Sequence, residues 1–476
     1  MSFVKNAILL ILLFPLSDRV LAQHQEISDH PEIWKGANTA TTKDQVSILS
    51  AFKNGQVNGH FRFFSMATNN SGKLTDYYAN AFGGGLKYET APFHGFKFGL
   101  SGFYIFNVSS SDLTKPDSMT KQNNRYEISL FDITDPSNKN NIDRLEEFYL
   151  KYNFKKSQIT LGKQLINTTF INLQDGRMRP TEVEGLWGEV HELNNTKIYG
   201  GYLHRISPRG TVEYYSIANS IGVYSSGVNE EGSPSSYKNQ LSSKGILSLG
   251  FTNRSIPDLT IQASNLFVEN IFNTSFLQAD YNYELPNQSI ITLGAQSIFQ
   301  TAMNNGGNSN AVYAYLASNH KAFTYGAKLG WIDSRTEISL NYNRITAAGR
   351  YLMPREWGRD PFYTFMARER NEGFGDVHAV VLKYQYWIPK MRIKTIFSAG
   401  YFDLPNISNF KLNKYGLPSY SQFNLDIRYQ FNGLLNGLDA QLLIAHKSNF
   451  QKSIPEKYIF NKVDMTNLNL ILNFHF

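Results

Sequence analysis

The residues best placed for chemistry are basic ones set into stretches that alternate apolar and polar side chains. Arg62 lies in "QVNGHFRFFSM" (56–66), Lys97 in "FHGFKFGLSGFYIFNV" (93–108), Lys151 in "LEEFYLKYNF" (145–154) and Arg428 in "SQFNLDIRYQF" (421–431). Lys328, Lys383 and Lys394 fall on the same polar faces, as do the acids Glu147, Glu189, Glu337 and Asp426. A row of guanidinium and ammonium groups passes a carboxylate from site to site without trapping it, and a channel selects by such lumen charge and by width. The plain alternative is ordinary solvated charge paired with the acids, since isolated exposed pairs contribute little. Asp175, Arg177 and Arg179 form a second group in "QDGRMRP". A loop acid facing a basic wall sets a transverse field suited to zwitterions; a rigid turn ending at Pro180 is the equal alternative. Arg355, Glu356, Arg359 and Asp360 read as a salt-bridged loop anchor.

Enzymatic signatures are missing. There is no G-x-S-x-G nucleophile elbow, and "HELNN" at His191 lacks the second histidine of H-E-x-x-H. His60, His191 and His204 are scattered. "DITDPSNKNNID" (132–143) does not have EF-hand spacing. Gly83–Gly85 is no phosphate loop, and its glycines suit close strand packing. No metal and no cofactor are expected. Basic charge alternates with acid over many strands, so no nucleic-acid partner is indicated. Tyr149, Phe103 and Trp187 are the few lumen-side aromatics that would serve a sugar slide.

The elements that must position these residues are strands. In 421–431, Phe423, Leu425, Ile427, Tyr429 and Phe431 line one face and Gln422, Asn424, Asp426, Arg428 and Gln430 the other. That two-residue period recurs along the chain. The links between strands alternate short and long: "TAPF", "KK", "ELNN", "NRSIP", "ELPNQ", "DSR", "IPKM" and "NGLLN" against polar stretches such as 109–144, 206–245 and 345–376. Short periplasmic turns and longer outside loops mark an outer-membrane β-barrel. Both ends of the barrel are expected in the periplasm, which requires an even strand number. The weakest strand candidate, 311–320, loses its alternation at Ser318–His320 and is assigned to an outer loop, with the next strand at Phe323–Ile332. The predicted fold is therefore all-β, a transmembrane antiparallel up-and-down barrel of eighteen strands, wide enough for an aqueous channel.

The N-terminus has the pattern of a secretory signal: Lys5, the apolar run Ala7–Leu16, then "VLA" before an expected cut after Ala22. Loss of 1–22 removes Lys5, Arg19 and Asp18, so the whole-chain charge of +7 falls to about +6. Cysteine is absent and aromatics are 14% of the chain, with 34 Phe and 28 Tyr; strand pairing needs no disulfide, and Tyr and Trp gather at membrane interfaces. Residues 23–55 are read as a periplasmic segment and 56–476 as the barrel.

Several stretches resemble the OprD-type family of outer-membrane porins, in a form like those of the Bacteroidetes. "AFGGGLKYETAPFHGFKFGLSGF" (81–103) is similar to that family's second and third strands. "ITLGKQLINTTFINLQDGRMRPTEVEGL" (159–186) resembles its fifth strand and next loop, where Asp175, Arg177 and Pro180 match an Asp-x-Arg-x-x-Pro segment. "YLMPREWGRDPFYTF" (351–365) and 412–447 resemble a later loop and strand pair. The resemblance implies a passive channel for small polar or charged solutes such as amino acids, short peptides or small carboxylates. It also implies a row of inward basic residues and a constriction built by inward-folded loops. A surface adhesin with partner-binding loops, or a barrel hydrolase, is the alternative. Monomer and trimer are both open.

The sequence ends in "TNLNLILNFHF" (466–476), with leucine and phenylalanine on one face and mainly asparagine on the other. This strand is expected to pair with the first and close the barrel, placing Leu470 in lipid and Asn469 in the lumen. Leu470→Arg is then expected to cost about 2–4 kcal/mol, and Asn469→Arg far less. Phe476 is read as a signal for the outer-membrane assembly machinery.

Overall fold

The computed structural model describes residues 33–34, 43–174, 176–369, 371–451 and 453–476. The expected signal peptide, its cut site and Asp175 lie outside the described residues.

Alternating side chains make strands, and a sheet of this length hides its edges by closing on itself. Eighteen strands do so: β1 (Gln56–Asn70), β2 (Tyr77–Glu89), β3 (Phe96–Ser110), β4 (Asp143–Phe154), β5 (Ser157–Gln164), β6 (Glu182–Val190), β7 (Thr196–Ser207), β8 (Ile246–Asn253), β9 (Leu259–Val268), β10 (Phe272–Glu284), β11 (Ile290–Ala302), β12 (Lys321–Ile332), β13 (Thr336–Ile345), β14 (Val377–Ile388), β15 (Ile393–Asp403), β16 (Tyr420–Gln430), β17 (Leu438–Asn449) and β18 (Met465–His475). Each pairs antiparallel with the next. β1 and β18 close the ring in a register running from His60–His475 to Asn70–Met465. A two-residue strand, Tyr215–Ser216, extends the outer end of β7. Residues 311–320 belong to a loop that opens with a short 3-10 turn at Ala311–Tyr313, so the doubtful stretch is not a spanning strand.

The outer surface is the apolar face. Leu468 and Leu470 are exposed while Asn467, Asn469 and Asn473 are buried. Tyr152, Tyr281, Tyr283 and Tyr384 are exposed near the periplasmic strand ends, where amphipathic rings sit at the headgroup level. Gly83 and Gly85 lie under the ring of Phe103, so close that an added Cβ would come within 2.4 and 2.5 Å of it; the glycines permit close packing.

The inner face is not uniformly polar. On β14 it runs Val377, Ala379, Val381, Lys383, Gln385 from the outer to the periplasmic end, the first three fully buried. On β1 the outer half presents Phe64 and Met66, and the inner half His60 and Arg62. The apolar outer halves pack against loops folded into the barrel, forming two cores around Trp357, Tyr351 and Phe374 and around Leu130, Phe131 and Met178. The N-terminal segment is not purely periplasmic. Trp34 lies inside the barrel, 4.9 Å from the guanidinium of Arg179, and a helix at Ile48–Lys53, α1, rests on the outer wall.

Candidate pore and its constriction

Two loops bring chemistry into the lumen. The first, between β5 and β6, covers 165–181; the second, between β13 and β14, covers 346–376. They are joined by a reciprocal amide pair: Asn172 Nδ2 donates to the carbonyl of Arg359 at 3.0 Å, and Arg359 N–H donates to Asn172 Oδ1 at 3.0 Å. Asn172 N–H also donates to the Trp357 carbonyl at 3.1 Å. Side-chain amides suit such a seam because each offers both a donor and an acceptor to backbone groups that would otherwise be buried unpaired.

The second loop is strapped to much of the wall. Gln296 on β11 donates to the Pro361 carbonyl at 3.0 Å, and Tyr363 donates to Asp280 on β10 at 2.7 Å. Lys383 on β14 donates to the Tyr363 carbonyl at 2.8 Å. Gln422 and Asn424 on β16 donate to the Ala367 carbonyl at 2.7 and 3.0 Å. Arg368 donates to Asn467 and Asn469 on β18 at 2.8 and 2.7 Å. Glu356 accepts from the backbone of Gly222 and Tyr224 at 3.0 and 2.9 Å, tying in the loop between β7 and β8. Arg355 stands 3.9 Å from Glu372. The anchor role read from the mixed charges at 355–360 thus suits Arg355 and Glu356.

Arg177 and Arg179 are buried and hold the first loop in place. Arg179 makes a two-pronged pair with Glu146 on β4 and lies 4.3 Å over the Phe103 ring. Arg144 reaches the same carboxylate at 3.1 Å and Glu182 at 3.5 Å. Arg177 donates to Ser129 at 3.0 Å, in the loop between β3 and β4. That loop is seated in turn by Glu127, which accepts from Thr68 and Asn124; burial raises its carboxyl above the usual range, against the pull of those donors. The loop that carries both arginines is folded inward, but neither is among the described lining of the cavity below it. Asn172 and Gln174 of the same loop do line it.

Below the two loops is a cavity of about 1210 Å³ that reaches the periplasmic strand ends. Four of the seven inward basic candidates line it: Lys328, Lys383, Lys394 and Arg428. They occupy one sector, β12 to β16, at two heights. Lys394 and Arg428 are directly opposed near the periplasmic rim, and Lys383, opposite Ser398, lies further in. Lys328 is 3.8 Å from Glu337, and Arg428 pairs with Asp426 at 2.9 Å while Gln441 donates to the same carboxylate. The remaining three stand elsewhere. Lys97 and Lys151 both pair with Glu89, at 2.9 and 3.1 Å. Arg62 is buried beside Asn473, at 2.9 Å. None of the three is among the cavity's described lining.

The lining also holds Lys197, Arg254 and Asp280, which the sequence reading did not single out, beside Glu189, Arg359, Asp360 and Trp187, which it did. Lys197 pairs with Glu189 at 2.8 Å; Arg254, Asp280, Arg359 and Asp360 add charge, and Trp187 stacks on Tyr199 with centroids 5.8 Å apart. Lys197 shares the two-residue period of Tyr199 on β7, a signal available in the sequence. Asp280 has the same signal, sharing the polar face of β10 with Gln278 and Asn282; Arg359 has none, and the folded loop makes it a neighbour of the pore. Phe103 and Tyr149 are buried, under Arg179 and against Glu89, so Trp187 alone of the three aromatic candidates reaches the cavity. No cluster of three metal-ligating side chains is present among the described residues.

Comparison with known proteins fits this geometry. A family model described as outer membrane porin, OprD family, matches residues 114–356. Among solved structures, the chain is similar to OccK9 (OpdG) of Pseudomonas aeruginosa, with 12% identity, a TM-score of 0.69, and 90% of this chain and 99% of that chain covered. Acinetobacter baumannii OccAB2 gives 14% identity, a TM-score of 0.67 and coverage of 90% and 99%. Pseudomonas aeruginosa OpdK, solved with vanillate, gives 11% identity, a TM-score of 0.64 and coverage of 89% and 99%. At these identities the structures establish the fold. No curated protein sequence matches the chain.

Proposed function

The chain belongs to the OprD family of outer-membrane porins, and from that premise we propose that it passes small solutes bearing a carboxylate: amino acids, short peptides or small carboxylates. The observation that carries this reading is the gathering of Lys328, Lys383, Lys394 and Arg428 on one wall of a single cavity. Cations at two heights attract a carboxylate without one deep site to hold it, which conduction requires. The acids Asp280, Glu337 and Asp426 share the lining, so an ammonium group on the same solute finds partners. The Trp187–Tyr199 pair supplies a flat apolar surface. OpdK, of the same fold, was solved with vanillate, an aromatic carboxylate, and a ring of that kind suits this surface.

The test is reconstitution in planar bilayers under a salt gradient, with liposome uptake of amino acids, dipeptides, carboxylates and sugars. Stepwise conductance is expected, with carboxylates taken up faster than neutral sugars of similar size. Arg428→Glu changes the wall charge by two; at about 8 Å in water that is about 1 kcal/mol, or about a five-fold loss for an anion and, with the sign reversed, a similar gain for a cation. An unchanged reversal potential removes Arg428 from the selectivity machinery. Equal uptake of sugars and carboxylates overturns the solute class.

A further inference from the structure

The wall of an outer-membrane barrel meets lipid, and α1 (Ile48–Lys53) is fastened to that wall from outside. Its partners are lipid-facing residues at the periplasmic ends of β2 and β3. The Phe52 ring lies 6.3 Å from both Tyr88 and Phe98, and the Tyr88 hydroxyl donates to the Phe52 carbonyl. The backbone adds two clamps: Gln45 N–H donates to the Pro92 carbonyl at 2.8 Å, and Ala91 N–H donates to the Ala51 carbonyl at 3.0 Å. Gly95 N–H donates to Asp44 at 3.2 Å. A reciprocal Ser47–Ser50 cap starts the helix. Six residues form no stable helix alone; this one is ordered by the barrel.

What the fastening presents is apolar. Ala51 faces the wall and is buried, whereas Val46, Ile48 and Leu49 are 95, 62 and 64% exposed. Large apolar side chains held outward by four clamps are costly in water, at about 25 cal/mol per Å². Tyr88, on which α1 rests, is paired with Val57 and shares its strand face with Leu86, both exposed to lipid, so α1 sits on the edge of the lipid-facing wall.

We infer that α1 and the preceding Val46 form an interfacial anchor seated in the periplasmic leaflet, with phospholipid acyl chains as their partner. The exposed cations Lys43 and Lys53 flank the patch, placed for lipid phosphates. The arrangement is a short amphipathic helix lying in the plane of the membrane boundary, with its affinity supplied by attachment to the barrel rather than by length.

The chain has no cysteine, so a single introduced one carries a spin label at a unique place. Leu49→Cys and, separately, Ile48→Cys are labelled and reconstituted in phosphatidylethanolamine–phosphatidylglycerol vesicles, after heat-modifiable gel migration confirms a folded barrel. Leu293→Cys on the lipid-facing wall and Asn432→Cys in a periplasmic turn are the references. Collision with oxygen high and with a water-soluble nickel chelate low, as at Leu293, is the expected result. Labels that behave like Asn432 overturn the anchor. Spin–spin broadening that disappears on dilution with unlabelled protein shows a second copy covering the helix, and overturns lipid as its partner.

Discussion

At the scale of single residues, burial decides which charges are structural and which are free to meet a solute. Glu146 is fully buried and carries both Arg179 and Arg144. It sits at a β-bulge, since the β3–β4 register passes from Ser101–Glu147 to Gly102–Leu145. The extra residue turns two consecutive glutamates inward. Glu146→Gln leaves a buried guanidinium without its carboxylate, an effect of about 3–5 kcal/mol; urea unfolding in detergent is expected to show it, together with noisier single-channel traces as the first loop loosens. The last strand needs a correction at this scale. Leu470 faces lipid, and Leu470→Arg keeps its expected cost of about 2–4 kcal/mol. Asn469, however, is buried and accepts from Arg368 at 2.7 Å. Asn469→Arg therefore sets one guanidinium against another and loses a charged hydrogen bond, at about 1.5–3 kcal/mol. Comparable destabilisation of both variants is the outcome to look for; a silent Asn469→Arg would mean that the loop does not hold the wall there.

At the scale of elements, β18 closes the ring and its end is locked. Phe476 exchanges backbone hydrogen bonds with Gly59, at 2.9 and 3.1 Å, and its ring lies 5.7 Å from Phe61. An added Cβ on Gly59 would fall 2.0 Å from that ring, so a larger residue there displaces the Phe476 side chain. If Phe476 is read by the assembly machinery, deleting it lowers the amount of barrel inserted in cells far more than the yield of folding in detergent. Equal losses would reduce its role to this rim contact. The loop 346–376 acts as an element too: a strap across the lumen whose fixed points include wall side chains of β10, β11, β14, β16 and β18.

At the scale of the whole molecule, the outer half of the barrel is a packed protein interior and the periplasmic half encloses an open, polar-lined cavity. Lys414, in the loop between β15 and β16, joins four outer loops. Its ammonium is 3.1 Å from the Tyr237 hydroxyl, 5.0 Å from the Tyr315 ring and 3.8 Å from Glu372. Burial pulls it down from the ordinary 10.5 to about 8, with Arg350 and Arg355 adding to the effect and Glu372 and Glu356 opposing it. Between about pH 8 and 10.5 the unfolded chain keeps a proton that the folded one has released, so stability rises with pH across that window; below about pH 8 the penalty is constant. The unfolding midpoint is expected to climb over this range, and Lys414→Met to flatten the climb and raise the midpoint at neutral pH. Lys462 is lowered to about 8 as well, by burial and then by Lys457 and Arg355, so a residual slope in the variant is expected.

The two-residue period, the alternation of short and long links and the even count sufficed to read a closed barrel of eighteen strands from sequence, because sidedness in a strand is a local property. For the same reason Lys328, Lys383, Lys394 and Arg428 were legible as inward. What fills the lumen is not local. Arg62 and Arg428 share the same alternation and both are buried, yet only Arg428 is among the cavity's described lining. Arg179 and Arg359 are both loop arginines, yet only Arg359 reaches the pore. The loops at 165–181 and 346–376 are irregular, and their path is set by contacts such as Asn172 with Arg359, 187 positions apart in sequence. Strand alternation determined which way each wall residue points; only the tertiary structure decided which of them a solute meets, because that depends on where the folded loops leave room.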